Sequence, residues 1–533
     1  MSSGTLNSRH APPPCRGSGR REVANRAVII VLLAMGLCPI RAQTPGWTDC
    51  RVSVLDSSDA EFNSAELRRD IDTLAAHAIR ERITPGLVVI VGRRGKTVLN
   101  EACGFTDFTH RIPTNDSTIY DMASNTKAFA TTLAAMRLVQ SGALELEAPI
   151  DRYLSEWPHS GALAEIKVGH LLAHTPGFDM GAQYAIDTQA AQRPGSIKVD
   201  ALTSPKFFGL FPAGHFGCYT DLGPVIVGWI AERLTGSALN TYLDSSVYAP
   251  LGLHETRFYP LRDHSPFDLQ RIAPTSESEE KGYVTVHDPI AAALGGVAGN
   301  AGMFSSARDL ELIAQELTRT AAGTPSAVFN PATLRVFLLG MSGRESQEGK
   351  AAAAEFNNDP HNWRGLGFDL AYDKSQCRSK PCVSRRKMRN QECAESLTPY
   401  SAMPTAFGHL GYTGPSVWIE PIKSQLYVIL LMNRTMSQLD ATPHYGYASN
   451  QLLRKETIDS LLGELRLEDK RHVCVRRSIA NVLAKAQHLS ADHLQTAPAY
   501  CRYSQIASVS NVLTHTSVSP REGTIAQQQP KAK

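Results

Sequence analysis

Long hydrophobic runs are missing from this 533-residue chain: the longest, within "AVIIVLLAMGLCPIRAQ", is about 14 residues, short for a bilayer crossing. Charge of one sign is missing too. The chain has 54 basic and 51 acidic side chains, but six arginines and one acid fall in residues 1–42, leaving 48 and 50. A near-neutral body excludes nucleic acid as the main partner. The ten cysteines and 17 histidines include no cluster with zinc-ligand spacing, so neither metal nor another cofactor is expected. "GGVAGNAGMFSS", Gly295 to Ser306, is rich in glycine but lacks the spacing of a phosphate loop, and no strand pattern precedes it. No internal repeat is present, which sets aside solenoids and propellers.

What is there is ordinary soluble composition, 42% hydrophobic and 20% charged, at a length that suits two or three structural units or one large two-part domain with extensions. Residues 1–42 combine a basic lead, a short apolar core and small residues near Ala42. They read as an export signal, with an uncleaved membrane anchor as the alternative, and place the protein in the periplasm or outside the cell. Residues 43–61 read as a linker. Residues 62–468 form the principal domain, carrying an inserted surface loop at 373–403 with seven basic side chains and three cysteines. Residues 469–533 read as a helical extension and a disordered tail. The eight cysteines beyond the leader permit disulfides, Cys377 and Cys382 having the spacing of a local bridge; free or partly paired thiols are the other possibility.

Within 62–468 the periodicities alternate. Leu67, Ile71, Leu74, Ala75, Ala78 and Ile79 mark one face of a helix over 62–83. "PGLVVIVGRRGKTVLNEACG" and "PSVWIEPIKSQLYVILLMNR" each read as a β-hairpin. Helices are expected at 124–141, 168–174, 222–235 and 445–466, the first and third closed by Gly142 and Gly236. Helix and hairpin at both ends of a helical middle imply a sheet whose strands come from distant parts of the chain.

"YDMASNTKAFA" places Ser124 and Lys127 three residues apart at a helix start. Residues at this spacing share a helix face, so the hydroxyl and amine can meet. A serine is a weak nucleophile until a base removes its proton. Burial and the positive end of the helix both lower a lysine's proton affinity, making a neutral amine base available. The same helix end offers a backbone N–H to a developing oxyanion. Two further segments carry candidates: "GHFGCYTDLGPVIVG", with Tyr219 and Asp221 before a helix, and "AFGHLGYTGPSVWIEP", with His409, Leu410 and Gly411 before a strand.

Ser-x-x-Lys, a Tyr-x-Asn-like element and His-x-Gly in this order resemble the serine β-lactamase and penicillin-binding-protein superfamily, nearest its class C β-lactamase-related branch. The resemblance covers about residues 65–465 and extends to "IKVGHLLAHTPGF", "HDPIAAALGGVAGNAGMFSSARDL" and "LMNR". It implies an α/β sandwich, an antiparallel sheet flanked by helices, with an all-helical subdomain. It implies a hydrolase working through a Ser124 acyl-enzyme on an ester, a D-amino-acid peptide or a β-lactam amide. Lys127 would accept or relay the serine proton, Tyr219 act as second acid/base, and His409 set the electrostatics around Tyr219. The Ser124 and Tyr412 amides would form the oxyanion hole, with Gly411 supporting. Its partners would be small-molecule or peptidoglycan-derived substrates.

Two positions depart from the pattern. Asp221 stands where asparagine is usual; it can pair with Lys127 and hold it charged, or serve only as a helix N-cap. Leu410 stands at a substrate-binding position where a threonine or serine hydroxyl usually meets a substrate carboxylate, which favours a neutral ester or amide. His174 and Thr175 also match and read as structural hydrogen-bonding residues. The alternative to an enzyme is a catalytically weak or inactive binding protein of the cell envelope.

Overall fold

The computed structural model describes residues 48–108, 111–178, 212–258 apart from 216, 271–275, 286–338, 356, 364–371, 405–433 and most of 475–487. The expected leader, the 373–403 loop with Cys377 and Cys382, and the 445–466 helix lie outside them. Among the described residues no helix is long and apolar enough to cross a membrane.

The described residues form ten strands: β1 (Cys50–Leu55), β2 (Gly86–Arg93), β3 (Lys96–Gly104), β4 (Ile119–Asp121), β5 (Arg257–Phe258), β6 (Met303–Ser306), β7 (Asp369–Leu370), β8 (Phe407–Leu410), β9 (Ser416–Glu420) and β10 (Leu426–Met432). Seven make one antiparallel sheet in the order β1-β3-β2-β10-β9-β8-β7. Its centre joins the two expected hairpins, Val89 opposite Leu430 and Val91 opposite Val428. Strands β4, β6 and β5 form a second, small sheet.

The side-chain alternation of a strand explains why β2 and β10 read as continuous apolar runs. Leu87, Val89 and Val91 face one way, onto a helix α1 (Ser64–Arg80) and helical residues within 475–486. Val88 and Ile90 face the other, onto the larger core shared with the helical region. Burial of each such Val, Leu or Ile contributes about 1.5–3 kcal/mol, enough to hold three layers together. Helix α1 buries the expected stripe Leu67, Ile71, Ala75, Ala78 and Ile79, and Asn63 caps it by accepting from Glu66 N at 3.0 Å.

In the helical region, α2 (Thr132–Gln140) and α3 (Val168–Leu172) pack on α4 (Leu222–Thr235), which ends at Gly236 in the left-handed conformation. Helix α5 (Ala307–Ala321) packs on β10 from this side.

Two readings require correction. The expected linker, 43–61, contains β1, whose register partner for Cys50 is Cys103, and a disulfide joins the pair. The strand is half-exposed and its partner lies some 50 residues on, so its weak alternation resembled a linker. The region from 469 is more than an appended extension. Val475, Ile479, Leu483 and Ala486 are buried in the core on the α1 side of the sheet.

Candidate active site

Ser124 sits where the chain leaves β4 for the helical region. Ala123 before it has φ 45°, an uncommon conformation for a non-glycine residue, held because its N–H donates to Asp121 Oδ1 at 2.8 Å. Asp121 also accepts from His287 N at 2.9 Å, and its carbonyl accepts from Thr413 Oγ1 at 2.6 Å. Burial raises this carboxyl to about 6.

The expected continuous α-helix over 124–141 is instead a π-helical turn, Lys127–Thr131, followed by α2. Such bulges are common at functional sites, since the extra residue re-aims a side chain. Lys127 is buried, and its Nζ lies 2.9 Å from Ser124 Oγ, 3.0 Å from Asn300 O and 2.5 Å from Asp221 Oδ1. Asn300 is itself held by Asp288, which accepts from Asn300 Nδ2 at 2.9 Å and from Ala291 N at 2.8 Å.

Asp221 begins α4 but gives it no side-chain cap; its carboxylate turns to Lys127 instead. This decides between the two roles open from sequence, and it reverses the expectation for Lys127. Burial pushes the ammonium toward the neutral form, but the Asp221 carboxylate beside it outweighs this and the net shift is upward. Lys127 is therefore a cation at rest, not a free amine.

Tyr219 completes the cluster. Lys127 Nζ is 5.1 Å from its ring centroid, and both Lys127 and Ser124 favour the ionised form of the phenol. Burial raises its proton affinity, opposed by Lys127 and reinforced by the Asp221 charge. His174 stacks on the ring at 4.7 Å between centroids and accepts from Thr220 N at 3.2 Å, while Thr175 Oγ1 donates to Phe356 O. Both act as the expected structural residues.

His409, on β8, lies 6.0 Å from the Tyr219 ring. Burial lowers its proton affinity, against the Asp369 charge, with Lys127 and Arg364 adding to the lowering. His409 Nδ1 lies 2.9 Å from Leu410 N and 2.8 Å from Leu410 O, and Nε2 faces Asp369 Oδ2 at 3.9 Å. The imidazole is thus neutral, and positive potential at Tyr219 comes from Lys127 and Arg364. Arg364, which sequence reasoning missed, places its guanidinium 5.2 Å from the Tyr219 ring centroid and its Nε 2.8 Å from Asp369.

Leu410 is a further correction. Strand alternation sends Phe407 and His409 to the active-site face and Leu410 to the other, where it packs against the α1-side core. It contributes the absence of a hydroxyl, not a contact for substrate. Gly411 follows at a close approach, where a Cβ would come within 2.5 Å of Met122 O and 2.9 Å of Asn125 Nδ2. Asn125 Nδ2 ties the segments by donating to Met122 O at 3.2 Å and Pro415 O at 3.3 Å. The turn carrying Tyr412 is therefore locked against the segment carrying Ser124.

Among the described residues one group of potential metal ligands gathers, Cys50, Glu101 and Cys103, and its two sulfurs are joined in the disulfide.

A two-faced antiparallel sheet, a helical region and a Ser-Lys-Tyr cluster between them define the architecture of the serine β-lactamases and transpeptidases. The chain belongs to the beta-lactamase family, whose model matches residues 71–450, and its fold is that of a family of hydrolases. It is 26% identical over 384 residues to a protein of Escherichia coli O157:H7 provisionally named a D-alanyl-D-alanine carboxypeptidase, covering 66% of this chain and 79% of that one. A similarly named protein of Salmonella enteritidis is 26% identical over 441 residues, covering 77% and 91%. Among solved structures, EstCE1, described as a hydrolase with promiscuous acyltransferase activity, superposes with TM-score 0.50 at 22% identity over 69% of this chain and 94% of its own, a likeness of fold.

Proposed function

We propose that the protein is an exported serine hydrolase that forms an acyl-enzyme at Ser124. The carrying observation is the 2.9 Å contact of Lys127 Nζ with Ser124 Oγ inside a cluster that also holds Asp221 and Tyr219. Lys127 is held cationic, so Tyr219 carries the proton. As Ser124 Oγ bonds to the substrate carbonyl carbon, its proton passes to Tyr219 while the phenolic proton passes to the leaving group. Lys127 stabilises the phenolate character that develops, and the amides of Ser124 and Tyr412 receive the oxyanion. Water then attacks the acyl carbon, giving its proton to Tyr219 as the phenol returns one to Ser124. Export is supported by the leader-like residues 1–42 and by the Cys50–Cys103 disulfide, which persists in oxidising compartments.

The substrate is a carboxylic ester, a D-amino-acid peptide or a β-lactam. The active-site face of β8 carries Phe407 and His409 and no hydroxyl to receive a carboxylate, so turnover of p-nitrophenyl butyrate is expected to exceed that of nitrocefin and of a D-Ala-D-Ala peptide. The reverse order would show that carboxylate recognition lies elsewhere.

The relay needs Lys127 charged and Tyr219 protonated, so kcat/KM falls on the alkaline side. The Asp221 carboxylate raises the proton affinity of both groups. In Asp221→Asn that fall therefore moves to lower pH. A gain in kcat/KM at neutral pH would instead identify neutral Lys127 as the base.

The Lys127–Asp221 ion pair also favours a second reading, a binding protein that keeps the fold. Normal ligand binding by Ser124→Ala, with no hydrolysis by the wild type, would support that reading.

A further inference from the structure

Arg476 stands in the C-terminal helical segment, beyond the residues 71–450 that match the family. Its guanidinium is buried and enters the turn between β8 and β9. Nη2 lies 2.7 Å from Gly411 O, 2.7 Å from Gly414 O and 3.2 Å from Pro415 O, and Nε lies 3.2 Å from Gly414 O. All three carbonyls belong to the five-residue turn that carries Tyr412.

Trans peptide geometry gives these contacts a consequence. In the Gly411–Tyr412 peptide the C=O and N–H point in opposite directions. With the carbonyl held on Arg476, the Tyr412 N–H is aimed away from the C-terminal helix. On its other flank the turn is fixed against the Ser124 segment, through the Gly411 approach to Met122 and the Thr413 hydroxyl on Asp121 O. A cation on the carbonyl end also polarises the peptide, strengthening its N–H as a donor. Lysine cannot substitute fully, because an ammonium has no second nitrogen to add the Nε contact with Gly414 O.

We propose that Arg476 is a positioning residue for the reaction: from outside the family-matched region it fixes and polarises the Tyr412 amide that receives the oxyanion. The inference rests on the acyl-enzyme reading above. It gives the C-terminal segment a part in catalysis besides its part in the core.

The test compares wild type, Arg476→Lys and Arg476→Ala in full-length protein. Steady-state hydrolysis of p-nitrophenyl butyrate is measured beside thermal melting and fluorophosphonate titration of Ser124. Arg476→Ala is expected to lower kcat by about 10²-fold, the usual cost of losing an oxyanion donor, with KM changing much less. Arg476→Lys should fall between, and millimolar guanidinium chloride should restore part of the activity of Arg476→Ala. An Arg476→Ala enzyme with wild-type kcat overturns the role. So does a loss that tracks the unfolded fraction and that guanidinium leaves unmoved. A wild-type chain that no probe acylates overturns the site reading and this role together, whereas an acylated wild type matched by Arg476→Ala overturns this role alone.

Discussion

Lys127→Met lowers kcat by about 10³-fold, the upper end of the range for removing a group that stabilises developing charge. The reason is specific to this site. Lys127 touches Ser124 Oγ, Asn300 O and Asp221, and lies beside the Tyr219 ring. Without it nothing at the cluster's centre stabilises phenolate character on Tyr219, and Asp221 is left opposing it. The same substitution removes the Lys127 ion pair from the Asp221 carboxylate, at a cost of up to about 3 kcal/mol because that group keeps partial access to water. Stability and chemistry are separable: adding Asp221→Asn should recover the melting temperature of Lys127→Met but not its kcat. Recovery of kcat in the double variant would mean that Lys127 only neutralises Asp221.

Gly411→Ala is expected to have the next largest effect, a fall in kcat of about 10²–10³-fold with a smaller change in KM. The added methyl meets backbone, Met122 O at 2.5 Å, and backbone cannot swing aside as a flexible side chain would. Met122 lies two residues before Ser124, so any adjustment separates the segments that supply the Ser124 and Tyr412 amides. A Gly411→Ala enzyme with unaltered kinetics would place the oxyanion elsewhere.

Much of this architecture was legible in the sequence because it depends on local pattern. The β2–β3 and β9–β10 hairpins announce themselves through short apolar runs around turn residues, and α4 through its glycine stop. Strand β1 did not, since a half-exposed edge strand has a pattern only its partner makes meaningful. The π-helical turn was hidden for another reason: nothing in "KAFAT" distinguishes it from an α-helix, and tertiary contacts such as Lys127 to Asn300 O accompany the change.

Chemistry divides along the same line. Ser124, Lys127, Tyr219 and His409 could be named because their types and spacing form motifs. The structure brings all four together. Asp288 and Asn300 lay inside a quoted segment, yet no spacing marked them as the support of Lys127. Arg364 is a lone basic residue in sequence and Arg476 one of an adjacent arginine pair, and only the fold sets one against Tyr219 and the other on the Tyr412 turn. The Asp221 question could be posed from sequence but not answered, because the competition between burial and ion pairing depends on distance.

The central claim, that Ser124 is the acylated nucleophile, is tested most directly by labelling folded full-length protein with a fluorophosphonate and with a fluorescent penicillin. Modified peptides are then mapped by mass spectrometry, with Ser124→Ala as control. A single covalent adduct on Ser124 is expected with at least one probe, absent from Ser124→Ala. No adduct with either probe, or an adduct that persists in Ser124→Ala, would contradict it.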